Sequence, residues 1–309
     1  MEIRHLRYFI AIAEEGHITR AAERLGIQQP PLSQQLKAME RELNVQLFRR
    51  KARGVEMTDA GRALLEHART VLAHLDRAIE TAHRAARGEQ GRLGVGVTST
   101  TPFHPLVPTA IRAFREACPL VSITVEECLS NESIERLQNE SMDAAFIRIS
   151  LPGSSRLSVV PLLEEPMVAA LPATHALVQD KREAAISMKR LAEEVFILYG
   201  PPGTGMHDAI IAACQSAGFN PRVGNLGAST QQAPRIGSTL SLVAAGLGVT
   251  CVPSSLQRMN LEGVVYRRVK PAEQPKTALN LASRRGDPSA VVRQFVNVVR
   301  RTAKAVHPG

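Results

Sequence analysis

The sequence predicts a multidomain α+β chain: a small helical unit closed by a β-hairpin, one long connecting helix, and a pair of α/β lobes. Three observations carry this expectation. The first sixty or so residues hold three short runs of helical apolar period, two of them ended by glycine, followed by an alternating stretch around Gly54. The next thirty or so keep one uninterrupted seam of near-heptad spacing. From Arg92 onward, short β-branched runs alternate with helical ones.

The bulk numbers agree with several folded domains. At 309 residues the chain is about twice the common single-domain size. Its 44% hydrophobic and 22% charged content is ordinary for a globular protein. No apolar stretch approaches the roughly 20 residues that cross a bilayer, and the charged start from Met1 to Arg7 has no signal-peptide core. A cytoplasmic location and no membrane partner are expected. The net charge of +9 favours an acidic partner, most commonly nucleic acid, although charge alone does not exclude an anionic surface. Cys118, Cys128, Cys214 and Cys251 form no CxxC and read as reduced packing residues; the nine histidines form no HExxH. No metal and no cofactor is expected.

Leu6, Phe9, Ile10 and Ala13 share one helical face, and Gly16 ends that first helix. Ile18, Ala21, Ala22 and Leu25 repeat the spacing, and Gly26 stops the second after about two turns. Alanines at two core positions let another helix approach closely. A third helix opens at Pro30 and Pro31, which are tolerated in a first turn where the missing N–H has no intrahelical partner, and its apolar face runs through Leu36, Met39 and Leu43. Its first turns carry Gln28, Gln29, Ser33, Gln34 and Lys37. Glutamine can bridge N6 and N7 of adenine, and a recognition helix offers its N-terminal residues to base edges in the major groove.

After Leu47 and Phe48, the basic residues Arg49, Arg50, Lys51 and Arg53 surround Gly54, which reads as a hairpin with a basic tip suited to phosphate contact. Together these elements spell a winged helix-turn-helix. The pattern of Leu6, Arg7, Tyr8 and Phe9, then Ala21, Ala22, Leu25, the Gln29 to Gln35 run, Leu43, Leu47, Phe48, Arg49, Arg50 and Thr58, Asp59, Ala60, Gly61 resembles the LysR family of bacterial transcriptional regulators. That resemblance implies that Gln29, Pro30, Ser33 and Gln34 face operator DNA, with Arg53 on the wing at the minor groove; Gln28, Pro31, Lys37 and Arg50 complete the candidate DNA-binding set. Two positions depart from the family's habit: His17 stands where serine often caps the second helix, and Gln34 where arginine is frequent.

Thr58 can cap the next helix and Asp59 favours its positive end. Leu64, Ala68, Val71, Leu72, Leu75, Ile79 and Ala82 then form one narrow apolar stripe along a helix from Asp59 to Arg87, opposite Arg62, Glu66, Arg69, Asp76, Arg77 and Glu80. The stripe packs either on its own domain or on a second copy. The resemblance implies the second, as a dimer within a tetramer, placing two recognition helices on symmetric half-sites. Residues 87–91 read as a polar hinge.

Beyond the hinge, strands are expected at residues 93–97, 121–125, 144–147, 157–160, 167–171, 195–199, 249–252, 264–269 and 279–282. Helices are expected at 107–117, 134–139, 206–217, 240–245 and 291–303, with parallel crossovers. A chain that leaves one α/β unit, builds another and returns resembles two Rossmann-like lobes of the periplasmic-binding-protein type, which the family possesses. The expected division is 1–58 for DNA binding, 59–91 for linking and dimerisation, and 92–309 for effector binding, with lobe I at about 92–163 and 268–309 and lobe II at about 164–267.

Ligands of open α/β sheets bind beyond the carboxyl ends of strands, where helix N-termini offer free N–H groups. Thr98, Ser99, Thr100 and Thr101 follow the first strand and precede a helix, serving as ligand hydroxyls or as a simple cap. Gly203, Thr204, Gly205 and Met206 open another helix, and Ser130 follows a strand. Arg148 is either a carboxylate partner or one half of an ion pair on a lobe surface. Thr98 to Thr101 and Ser130 match effector contacts in family members that sense aromatic and dicarboxylic acids, so the resemblance implies a small carboxylate effector. It further implies that ligand-biased lobe closure alters operator bending and the access of RNA polymerase. A catalytic domain fused to a DNA-binding module is the alternative, but the chain has no complete GxGxxG, no P-loop Lys and no GxSxG. A cleftless architectural DNA binder is a second.

Overall fold

The computed structural model describes residues 1–149, 156–179, 184–200, 202–203, 205–223, 232–233 and 235–306. It divides into two compact units, Met1–Arg84 and Ala85–Gly309.

In the first unit α1 (Ile3–Glu15), α2 (Ile18–Leu25) and α3 (Gln29–Leu43) precede the hairpin β1 (Phe48–Lys51) and β2 (Gly54–Met57), after which α4 (Asp59–Arg87) begins. Leu6, Phe9, Ile12, Ala22, Leu32 and Met39 are buried together, and the Phe9 and Phe48 rings lie 5.4 Å apart, so the hairpin root closes the helical core. Ala21 is fully buried, as close helix approach requires. His17 caps α2, its ring accepting the Thr19 amide, so histidine performs here the task serine often has. Pro30 and Pro31 lie in the first turn of α3, whose N-cap is Gln28. The Thr58 hydroxyl accepts the Gly61 amide at 3.0 Å and donates to the Gln46 carbonyl, tying the start of α4 to the segment before the wing.

The second unit contains β3 (Gln90–Val97), α5 (Leu106–Ala117), β4 (Leu120–Glu127), α6 (Ser130–Gln138), β5 (Ala144–Ile147) and β6 (Leu157–Pro172). Then follow α7 (Ala176–Gln179), β7 (Ala185–Ile186), β8 (Val195–Phe196), β9 (Leu198–Tyr199), α8 (Gly205–Ser216), β10 (Arg222–Val223) and β11 (Gln232–Ala233). The unit ends with α9 (Ile236–Ala244), β12 (Thr250–Pro253), β13 (Val264–Val269), β14 (Lys276–Arg284) and α10 (Ala290–Val306). Its main sheet runs β4-β3-β5-β14-β6-β13-β7, with β12 also on β6.

Two lobes share that sheet because β6 belongs to both. Its first part pairs with β14 and its last part with β12 and β13. Lobe I packs Leu93, Val95, Phe114, Phe146 and Phe295 on one sheet face and Leu137, Ile147 and Leu157 on the other. Lobe II gathers Met167 to Leu171 with Phe196, Ile210, Leu240 and Cys251. All four cysteines are free and buried, and burial pushes the Cys214 and Cys251 thiols up to about 12, so they pack and do not react.

Three local expectations change. Residues 157–160 and 167–171 are one strand, not two, because β14 pairs along the whole stretch between them, with Leu162 taken up as one extra residue opposite Leu279 and Asn280. Residues 195–199 split into β8 and β9, which pair with different parallel neighbours. Crossovers are parallel for β3 with β4 and β5, but β14 runs antiparallel to β5 and β6 as the chain returns from lobe II. Among the described residues no helix is long and apolar enough to cross a membrane, and no group of three or more His, Cys, Asp or Glu could hold a metal ion.

Candidate DNA interface and inter-lobe pocket

Burying Leu32, Leu36 and Met39 turns the opposite face of α3 to solvent. Gln28, Gln29, Pro30, Pro31, Gln34 and Lys37 are exposed there, and half-buried Ser33 accepts a 2.7 Å hydrogen bond from the Gln29 amide nitrogen. That bond holds one N–H of Gln29, leaving its oxygen and second N–H to read a base edge. On the wing, Arg53 occupies the two-residue turn between Lys51 and Gly54. Gly54 has φ +105°, and a Cβ there would stand 2.3 Å from the Gly16 carbonyl oxygen, so only glycine lets the turn end of the wing dock on the α1–α2 turn. The Val55 amide donates to that same carbonyl at 2.9 Å. Lys51 pairs with Glu56, whereas Lys37, Arg50 and Arg53 have no ion-pair partner among the described residues. These three cations are available for phosphates.

The second site lies where β3 and β5, adjacent and parallel, both end. Thr98 follows β3 and Arg148 follows β5, and the N-termini of α6 at Ser130 and α8 at Gly205 close the same pocket. Thr98, Thr100, Leu129, Ser130, Arg148, Tyr199, Gly200, Gly205 and Met206 line it, around a cavity of about 20 Å³, room for one water-sized group. A Cβ on Gly205 would lie 1.7 Å from the Arg148 carbonyl oxygen, which makes this the tightest approach between the start of α8 and lobe I. Ser99 and Tyr199 hydroxyls bond at 2.5 Å between the lobes, and Arg235 reaches Glu127 at 2.6 Å. Burial pushes the Tyr199 phenol upward, so it remains a neutral donor.

Arg148 is the charge of the pocket. Its Nε donates to Thr100 and its Nη2 to Glu165, both at 2.8 Å, while Nη1 is buried without a partner among the described residues. Burial draws the Arg148 pKa down and Glu165 opposes that pull. Burial likewise works against ionised Glu165, but Arg148 and the Ser255 backbone amide outweigh it and hold the carboxyl below its usual range. The pair is therefore ionised, and the Nη1 amino group has no acceptor among the described residues.

Residues 86–304 match the LysR substrate binding domain, and residues 3–62 match the bacterial regulatory helix-turn-helix protein, lysR family. The chain belongs to the LysR family. This LysR-type regulator is 35% identical to the HTH-type transcriptional regulator BudR of Raoultella terrigena over 299 residues, covering 96% of this chain and 100% of that protein. It is 34% identical to AlsR of Bacillus subtilis (strain 168), covering 96% and 95% of the two chains. The crystal structure of CbnR, a LysR family transcriptional regulator, superposes with a TM-score of 0.81 at 28% identity, covering 97% of this chain and 100% of that one. Full-length CbnR complexed with its target DNA superposes at 0.80 and 29%, covering 98% and 100%. The chain is thus a DNA-binding transcriptional regulator with an effector-binding domain, and not an enzyme.

Within this LysR-type regulator, the pocket gathers Thr98, Thr100, Ser130, Arg148, Gly205 and Met206 of the residues singled out by sequence. Ser99 is bonded to Tyr199. Thr101 accepts the Thr98 amide and donates to the Thr98 carbonyl, a turn-closing role. Gly203 is exposed and its amide donates to Asp208. Thr204 lies outside the described residues. Sequence reasoning missed Tyr199, Leu129 and Glu165. The available signal for Glu165 was an acid inside an otherwise apolar strand region.

Proposed function

We propose that this LysR-type regulator reads its operator through Gln29, Ser33 and Gln34, grips phosphates with Lys37, Arg50 and Arg53, and is switched by a small carboxylate bound at Arg148. The observation that carries the effector assignment is the buried, unpartnered Nη1 of Arg148 in a hydroxyl-lined pocket between two helix N-termini. A carboxylate supplies the missing acceptor and meets the positive ends of α6 and α8. Thr98, Thr100 and Ser130 hydroxyls orient it, while Ser99, Tyr199, Gly205 and Met206 hold the lobes about it.

The working division is residues 1–58 for DNA, 59–91 for dimerisation and 92–309 for the effector. Along α4 only Gly61 and Ala68 are buried, and Val71 and Ile79 are each 47% exposed, which supports pairing of that stripe with a second copy. Two such dimers form the tetramer in this reading. Ligand-biased lobe closure then changes the spacing of recognition helices, operator bending and RNA polymerase access.

Fluorescence anisotropy with promoter fragments and random duplex tests this. Gln29→Ala should erase most of the preference for the promoter, a loss of roughly 1–3 kcal/mol, whereas Arg53→Ala should weaken both duplexes alike and reduce the salt slope by about one. Small carboxylates should shift promoter affinity in the native protein and not in Arg148→Met. The reverse pattern for Gln29 and Arg53 would overturn the assignment of the reading helix.

A further inference from the structure

Resting on the effector reading above, we infer that Glu165 is the charge-selecting residue of the pocket. It competes with an incoming carboxylate for Arg148, and the hydroxyls of Ser255 and Thr277 take up its own charge when it loses.

The buried pair is neutral as a unit, with each side chain 3% exposed and 2.8 Å between Arg148 Nη2 and Glu165 Oε2. A carboxylate entering this pocket adds a negative charge to a site already balanced, so Glu165 repels the ligand that Arg148 attracts. The other Glu165 oxygen accepts the Ser255 amide at 2.6 Å and the Ser254 hydroxyl at 3.4 Å.

Two further donors surround this carboxylate. Ser255 Oγ and Thr277 Oγ1 are buried and make no hydrogen bond. Thr277 is the direct cross-strand partner of Glu165 in the β14–β6 pairing, which puts both side chains on one sheet face. Ser255 is already joined to Glu165 through its backbone. Buried hydroxyls without partners are rare. Here they stand beside the group that would need donors if the guanidinium turned away.

The two partners differ in freedom. Glu165 sits within β6, paired with β14, so its backbone is held by the sheet. Arg148 follows the end of β5 on a long side chain whose Nη1 already lacks an acceptor. The exchange is a rotation of Arg148 toward the ligand with no bond made or broken covalently. Glu165 is a positioning residue in this scheme, acting through Arg148.

Calorimetric dissociation constants of the full-length protein for formate against formamide, and for acetate against acetamide, test the assignment, because charge selection lives in the acid-to-amide ratio. Glu165→Gln should raise acid affinity relative to amide about tenfold or more, since it removes a like charge at low dielectric. Thr277→Val, which removes an unpartnered hydroxyl and leaves the fold's existing bonds intact, should lower acid affinity about threefold with amide binding unchanged. A purely structural role for either residue would move acid and amide together. Unchanged ratios in Thr277→Val, with acids still bound, would overturn the inference and leave the effector reading standing. Failure of every acid to bind the native protein would remove the effector reading and this inference together.

Discussion

Gly205 shows how much one missing methyl group decides. It begins α8 with its Cα against the carbonyl oxygen of Arg148, at a distance no Cβ could share. Gly205→Ala should force the helix start away from lobe I, destabilise the protein by roughly 1–3 kcal/mol and weaken carboxylate binding. Gly237→Ala, inside α9 with open space around it, is the control and should be neutral or slightly stabilising. Urea unfolding of both variants beside the native protein checks this; equal stabilities would remove the close-approach argument. Arg148 was legible in sequence as a charge placed directly after an apolar strand, with two roles left open. The structure gives it the Glu165 ion pair and leaves Nη1 over, a combination that no local pattern encodes because the residues are 17 positions apart.

At the scale of elements, Glu14 on α1 accepts from Arg24 on α2 and from Arg69 on α4, both at 2.8 Å, clamping three helices of the first unit. The Arg69 and Arg24 hydrogen bonds hold its carboxyl below the usual carboxylate range, against a small opposing effect of burial. A depressed folded-state pKa contributes stability above the unfolded value of about 4.3 that fades as pH falls through the folded one. Glu14→Gln should therefore unfold more easily than the native protein at pH 7, and the difference should shrink at an acid pH below the depressed folded-state value. Chemical denaturation at the two pH values measures it, and a difference that persists in acid would assign the loss to packing. The helices of this unit were readable because period, glycine stops and proline starts are local signals. The long strand β6 was not, because Pro161, Glu164 and Pro166 look like breaks until β14 pairs beside them, with one extra residue at Leu162.

For the whole molecule, the apolar stripe of α4 is the feature with the largest reach. Leu75→Glu with Ile79→Glu places two charges on the proposed dimer seam while the core of the first unit, which uses Ala68, stays intact. Sedimentation should then report monomers. Binding to a duplex carrying two half-sites should fall at least about tenfold, with single half-site binding unaltered. A dimer that survives both charges would place the interface elsewhere.

The order of amino acids alone determined the succession of helices, wing, connector and lobes, the exposed polar face of α3 and the basic tip at Arg53, since each depends on neighbours within a turn or a hairpin. Only the tertiary structure decided that β6 threads both lobes, that Tyr199 meets Ser99, and that Glu165 holds Arg148. Those contacts join residues far apart in the chain, and chain folding, not local period, sets which buried charge finds which partner.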